Sequence, residues 1–139
     1  MTAPTALSLT GFIAWTLALV ILMGVIRCKL VLTREVPANG FRPDNSNLSP
    51  FMQRLARAHL NCLEGLPVFG GLMVVALVIG HAEVTDSLAL VLLGARVAQS
   101  TIHLVSTSKL AVTARFTAFS AQMAIAAYWV YRLLGVLDM

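Results

Sequence analysis

Arg54, Arg57, Asn61 and Glu64 follow one another at steps of three, four and three. On a helix those steps align all four side chains along one stripe. Arginine offers a planar fork to carboxylates, glutamate can hold an ammonium, and asparagine serves either neighbour. The set suits a zwitterionic ligand better than a purely cationic one. An internal Arg–Glu network near a membrane boundary is the plainer alternative. Arg96, Gln99 and His103 repeat the pattern at i, i+3 and i+7, and Arg115 shares a further face with Phe119 and Gln122. His103 taken alone reads as a packed histidine. Arg57, Arg96 and Arg115 outnumber Glu64, the one carboxylate at their depth, so the surplus positive charge suits an anionic ligand.

Composition decides what carries these residues. Of 139 residues, 58% are hydrophobic and 12% charged, and the mean hydropathy is +0.84. A soluble domain carries about 25% charged residues to wet its surface. This chain must instead expose apolar surface to lipid. Disorder is excluded by the apolar content, and a disulfide scaffold by the presence of only two cysteines. A bilayer-crossing helix needs roughly 20 mostly apolar residues. Four such spans are expected, at about 7–33, 50–80, 87–106 and 110–134. The fold expected is all-α, an integral membrane four-helix bundle forming one domain over 1–139. Thr33 to Ser49 is the polar connection, Ser49-Pro50 caps and opens the second span, and 81–86 is expected as a short turn.

The basic residues orient the bundle. Arg27, Lys29, Arg34, Arg42, Arg54 and Arg57 surround the first loop, and Lys109 and Arg115 the third. The positive-inside rule makes those loops cytoplasmic and turns both termini and the middle loop outward. Cys28 and Cys62 are then expected as free thiols. His59 and Cys62 make a poor zinc pair, so no metal is expected. The excess of ten Lys+Arg over six Asp+Glu reads as topology, not as nucleic-acid binding. Trp15, Tyr128, Trp129 and Tyr131 are expected in an outer aromatic belt.

The string RAHLNCLEGLPVF, Arg57 to Phe69, resembles the family of membrane-associated proteins in eicosanoid and glutathione metabolism (MAPEG). The resemblance covers essentially the whole chain, best in the second span and weakest in the first. It implies a homotrimer with glutathione bound between neighbouring subunits near the cytoplasmic face. Arg57, Asn61 and Glu64 match glutathione-binding positions, and His59 stands where relatives have His or Gln. Arg96, Gln99 and His103 match a third-helix series in the family. Arg115 resembles the fourth-helix arginine thought to activate the thiol. Arg27 and Arg34, with Lys29, resemble the basic end of the family's first helix in a different register. The family often has Ser after that arginine and Tyr four residues on, where this chain has Phe116 and Phe119.

The activity implied is conjugation of the glutathione thiolate to lipophilic electrophiles in detoxification, with reduction of lipid hydroperoxides as a related activity. The implied setting is a bacterial inner membrane or one of endoplasmic-reticulum type. A binding protein of the same fold without catalysis is the second reading. A small four-span multidrug exporter is the third, and it fits worst. Its first span would need a carboxylate, and the arginines would repel a cationic drug.

Overall fold

The computed structural model describes residues 3–139. Four helices are long and apolar enough to cross a membrane: the first is Pro4–Leu32, the second Pro50–Val78, the third Glu83–Val105 and the fourth Lys109–Leu137. Among the described residues there is no strand.

The starts of these helices follow from local chemistry. Ser49 accepts from the Met52 N–H at 3.3 Å and Pro50 occupies the first turn. Ser108 accepts from the Ala111 N–H at 3.2 Å and caps the fourth helix. The third helix begins at Glu83, four residues earlier than expected, so 81–86 is not a turn. Glu83 and Asp86 lie in its first turn, where the positive end of the helix dipole favours acids. The chain reverses just before, around Gly80, whose φ of +78° suits glycine. The first helix has no side-chain cap of its own. The Thr5 N–H instead donates to Asp86 Oδ1 at 3.1 Å, and Ser8 Oγ donates to the Ala89 carbonyl at 2.6 Å.

The second helix is not regular. Residues Leu66–Gly70 form a π-helical turn between Pro50–Gly65 and Gly71–Val78. Pro67 has no N–H to return to the preceding turn, and the backbone widens there. The widening leaves Phe69 buried in the core.

One apolar core joins the helices through Phe12, Leu19, Leu55, Phe69, Met73, Leu92 and Trp129, among others. The fourth helix packs mainly along the third, and touches the second chiefly through Gly71–Val78. The basic half of the second helix, Pro50–Gly65, therefore stands apart from the fourth and leaves a cleft. Trp129 turns inward, away from the expected aromatic belt, and Trp15 is half-buried. Trp129 is fully buried and the indole nitrogens of both are enclosed. Ile125, Trp129 and Leu133 repeat every four residues and share the buried stripe, while Tyr128 and Tyr131 lie on exposed faces.

The loop after the first helix is folded against it. Asn45, fully buried with φ +56°, donates to the Met52 carbonyl at 2.8 Å. Its Oδ1 accepts from both Nε and Nη2 of Arg27, and Nη2 also donates to the Arg42 carbonyl at 3.0 Å. The Arg27 guanidinium lies over the Phe41 ring, 5.2 Å from its centre. In the same loop the Ser46 N–H donates to Asp44, which holds that carboxyl below the usual carboxylate range. Cys28 is exposed, Cys62 is buried, and both are free thiols.

Candidate functional site

The cleft between the second, third and fourth helices encloses a cavity of about 590 Å³, within the size range of small-molecule sites. Asn61, Glu64, Arg96 and Gln99 supply its polar lining. Phe69, Phe119, Met123, Ala126 and Val130 are among the residues of its apolar part. Helical spacing accounts for this set. Asn61 and Glu64 are three apart on the second helix, Arg96 and Gln99 three apart on the third, and each pair presents one face.

Arg96 is the most unusual member. It is 1% exposed near the middle of a span, with its guanidinium 5.4 Å from the centre of the Phe12 ring and 5.5 Å from that of Phe69. Stacking on two rings offsets part of the cost of burying the charge. Nη1 donates to the Asn61 carbonyl at 3.3 Å, whereas Nε and Nη2 are enclosed without a partner. Gly65 makes room for this arrangement, since a Cβ there would stand 2.9 Å from Nη2. Cys62 Sγ and Ser100 Oγ lie 3.3 Å apart in the same layer. Beside it Gln122 Nε2 donates to Gln99 Oε1 at 2.9 Å, and Gln122 Oε1 has no partner.

Glu64 lines the cavity with Arg96, yet among the described residues the one ion pair is His81 with Glu83, at the opposite end of the molecule. Glu64 and Arg57 are exposed on the protomer, and Asn61 and His59 are half-buried. Arg54 is held inward by donating from Nε to the Leu104 carbonyl at 3.1 Å.

Toward the basic end, His103 is buried where the charges of Arg115, Arg57 and Arg54 all reach it. Arg115 is half-buried, with Nε enclosed and unpartnered. The structure thus brings three spans' worth of basic residues to one end of the cleft, and Asn61, Glu64, Arg96 and Gln99 to the cavity itself. Arg27 and Arg34 are not among the residues lining it. Arg27 is occupied by the loop, and Arg34 is exposed just beyond the first helix with φ +59°.

Sequence reasoning missed Phe12, Phe69 and Gly65 as parts of the site. Phe12 comes from the uncharged stretch Leu7 to Ile26 and gave no signal. Gly65, next to Glu64 in the polar stripe, was the one visible hint of a close approach.

The family model described as the MAPEG family matches residues 5–135. No curated protein and no solved structure gives a match.

Proposed function

The chain belongs to the MAPEG family, and on that premise we propose that it is a membrane-bound glutathione transferase acting as a homotrimer. The observation that carries this reading is that Glu64 and Arg96, opposite in charge, line one cavity without forming an ion pair. A ligand bearing both signs fits between them.

Glutathione has two carboxylates, one ammonium and one thiol. Glu64 takes the ammonium, Arg57 and Arg96 take the carboxylates, and Asn61 bonds the backbone between them. His59, Gln99 and His103 complete the polar wall. Arg115 faces the sulfur. A thiol of pKa about 8.5 is only a few per cent ionised at neutral pH, and a cation within about 4–6 Å lowers that pKa by one to three units. The thiolate then attacks an electrophile arriving from the lipid. No metal takes part in this scheme.

The trimer answers a cost that the protomer leaves open. Arg57 and Glu64 are exposed within a membrane span, where an ionised side chain facing lipid is expensive. A second copy laid against the second helix covers both. Arg34, outside the cavity of its own subunit, is free to meet glutathione held by a neighbour. The positive-inside rule puts this basic end in the cytoplasm.

Thermal stability in detergent tests the ligand. Glutathione is expected to raise the melting temperature, because it binds only the folded state, and its separate amino acids are not. Glu64→Gln should weaken binding roughly tenfold or more, since a hydrogen bond to a charged group contributes about 1.5–3 kcal/mol. A wild type indifferent to glutathione overturns the reading. Phe116 and Phe119, which bring no hydroxyl to Arg115, favour one second reading: glutathione is bound but not activated. Thiolate absorbance of the complex separates the two.

A further inference from the structure

Four cations gather where the first helix ends. Arg27, Lys29, Arg34 and Arg42 stand there against only Glu35 and Asp44. Among the described residues none of these six is in an ion pair. Arg27 is committed to the loop, and Asp44 to the Ser46 N–H. Lys29 and Arg34 are exposed. The carbonyls at the negative end of the helix are already occupied by the chain itself. Lys29 O accepts from the Thr33 N–H at 2.9 Å, Leu30 O from the Glu35 N–H at 3.0 Å, and Val31 O from the Arg34 N–H at 3.0 Å. The end of this span thus carries net positive charge that the protein does not neutralise.

The helix surface below Lys29 is hollowed. A groove runs along it, lined by Ile21, Gly24, Val25, Cys28 and Leu32, with Lys29 and Thr33 at its polar end. Ile21, Val25, Cys28 and Leu32 follow at steps of four, three and four. They therefore lie opposite Thr16, Leu19 and Met23, which face the core. Gly24 deepens the hollow, because a Cβ there would meet nothing within 4 Å. Val25 is 61% exposed and Leu32 83%. Ile21 and Thr33 are twelve residues apart, about 18 Å along the axis. That is close to half of the roughly 30 Å hydrocarbon core, the depth of one leaflet.

We propose that this groove holds an anionic phospholipid of the cytoplasmic leaflet, with an acyl chain along Ile21 to Leu32 and the phosphate at Lys29. An apolar floor one leaflet long calls for an acyl chain, and the positive charge at its mouth calls for an acidic headgroup. The lysine stem lies along apolar surface while its compact ammonium reaches the water boundary, where phosphates are found. The positive-inside rule puts this end in the cytoplasm, on the side where anionic lipids give the leaflet its negative potential. A zwitterionic lipid would bring its own ammonium into the field of Arg34 and Arg42 and is disfavoured. The site lies on the first helix, outside the glutathione cavity, and works without glutathione.

The test uses the full-length protein in detergent with dioleoyl phosphatidylglycerol or dioleoyl phosphatidylcholine, which differ in headgroup alone. Phosphatidylglycerol is expected to raise the melting temperature more than phosphatidylcholine does at equal mole fraction. Lys29→Gln should lose most of that excess. Gly24→Leu should lose it too with every charge in place, since its Cβ meets no neighbour and its side chain fills the groove. Lys109→Gln removes the same charge from the other basic loop and should keep the excess. Equal stabilisation by the two lipids overturns the proposal. So does an equal loss in Lys29→Gln and Lys109→Gln, which would mean diffuse attraction to charge. Full retention in Gly24→Leu would mean that no chain enters the groove, and overturns it as well. If neither lipid stabilises wild type and Gly24→Leu breaks the oligomer on size-exclusion, a second copy covers the groove and the proposal fails. No arm contains glutathione, so the transferase reading stands or falls separately.

Discussion

Arg27 and Arg96 both lie against phenyl rings, at opposite depths of the same bundle, and differ in what their nitrogens do. Arg27 stacks on Phe41 and spends Nε and Nη2 on Asn45 and the Arg42 carbonyl. Arg96 stacks on Phe12 and Phe69, uses Nη1 on one carbonyl, and leaves Nε and Nη2 idle. The first environment is polar, close to solvent and complete without a ligand. The second is apolar, enclosed and incomplete. The difference teaches that a basic residue in a membrane protein is assigned less by its type than by whether its donors are already satisfied. On that criterion Arg27 holds the loop in place, and Arg96 is reserved.

The contrast is open to being broken. The largest effect is expected from Arg96→Met. Replacing buried ionic groups by apolar residues of similar volume often stabilises by about 1–4 kcal/mol, so the melting temperature of ligand-free protein should rise. A fall would mean that Arg96 is structurally satisfied after all. Asn45→Ala should act in the opposite direction. It strips the acceptor from Arg27 and the donor from the Met52 carbonyl, and leaving buried partners unsatisfied costs about 1–3 kcal/mol. Thermal unfolding in detergent measures both variants, and an unchanged Asn45→Ala would remove the distinction between the two arginines. Gly65→Ala is the mildest. Its Cβ would crowd Arg96 Nη2 at 2.9 Å, while alanine gains about 0.5–1 kcal/mol over glycine within a helix. Stability should hardly move, whereas glutathione should protect the variant less than wild type. Equal protection would show that the guanidinium has room to shift.

Much of this molecule was legible because lipid is a demanding solvent. Long uncharged or sparsely charged runs had to be helices, and the polar run from Thr33 to Ser49 had to lie outside them. The stripe from Arg54 to Glu64 and the series from Arg96 to His103 followed from helical spacing. What stayed hidden depended on neighbours distant in sequence. The π-helical turn at Pro67 could have been an ordinary kink until Phe69 and Arg96 were seen packed against it. Asp86 looked like a loop acid because its partner, the Thr5 amide, lies in another helix. Trp129 looked interfacial because position along a span says nothing about which face the indole takes. Arg27 looked free because nothing local announces that Asn45 will reach it.

The bond between Thr5 and Asp86 also bears on how the chain is made. Its two ends are 81 residues apart in sequence. At synthesis rates of about 5–20 residues per second, roughly 4–16 s separate the emergence of the first helix from that of its cap. During that interval the Thr5 amide and the Ser8 hydroxyl lack Asp86 and the Ala89 carbonyl as partners. The nascent first span is thus held by its hydrophobicity alone, and its register along the bilayer normal stays adjustable. Arrival of the third span pins it, so the order of translation is also an order of locking.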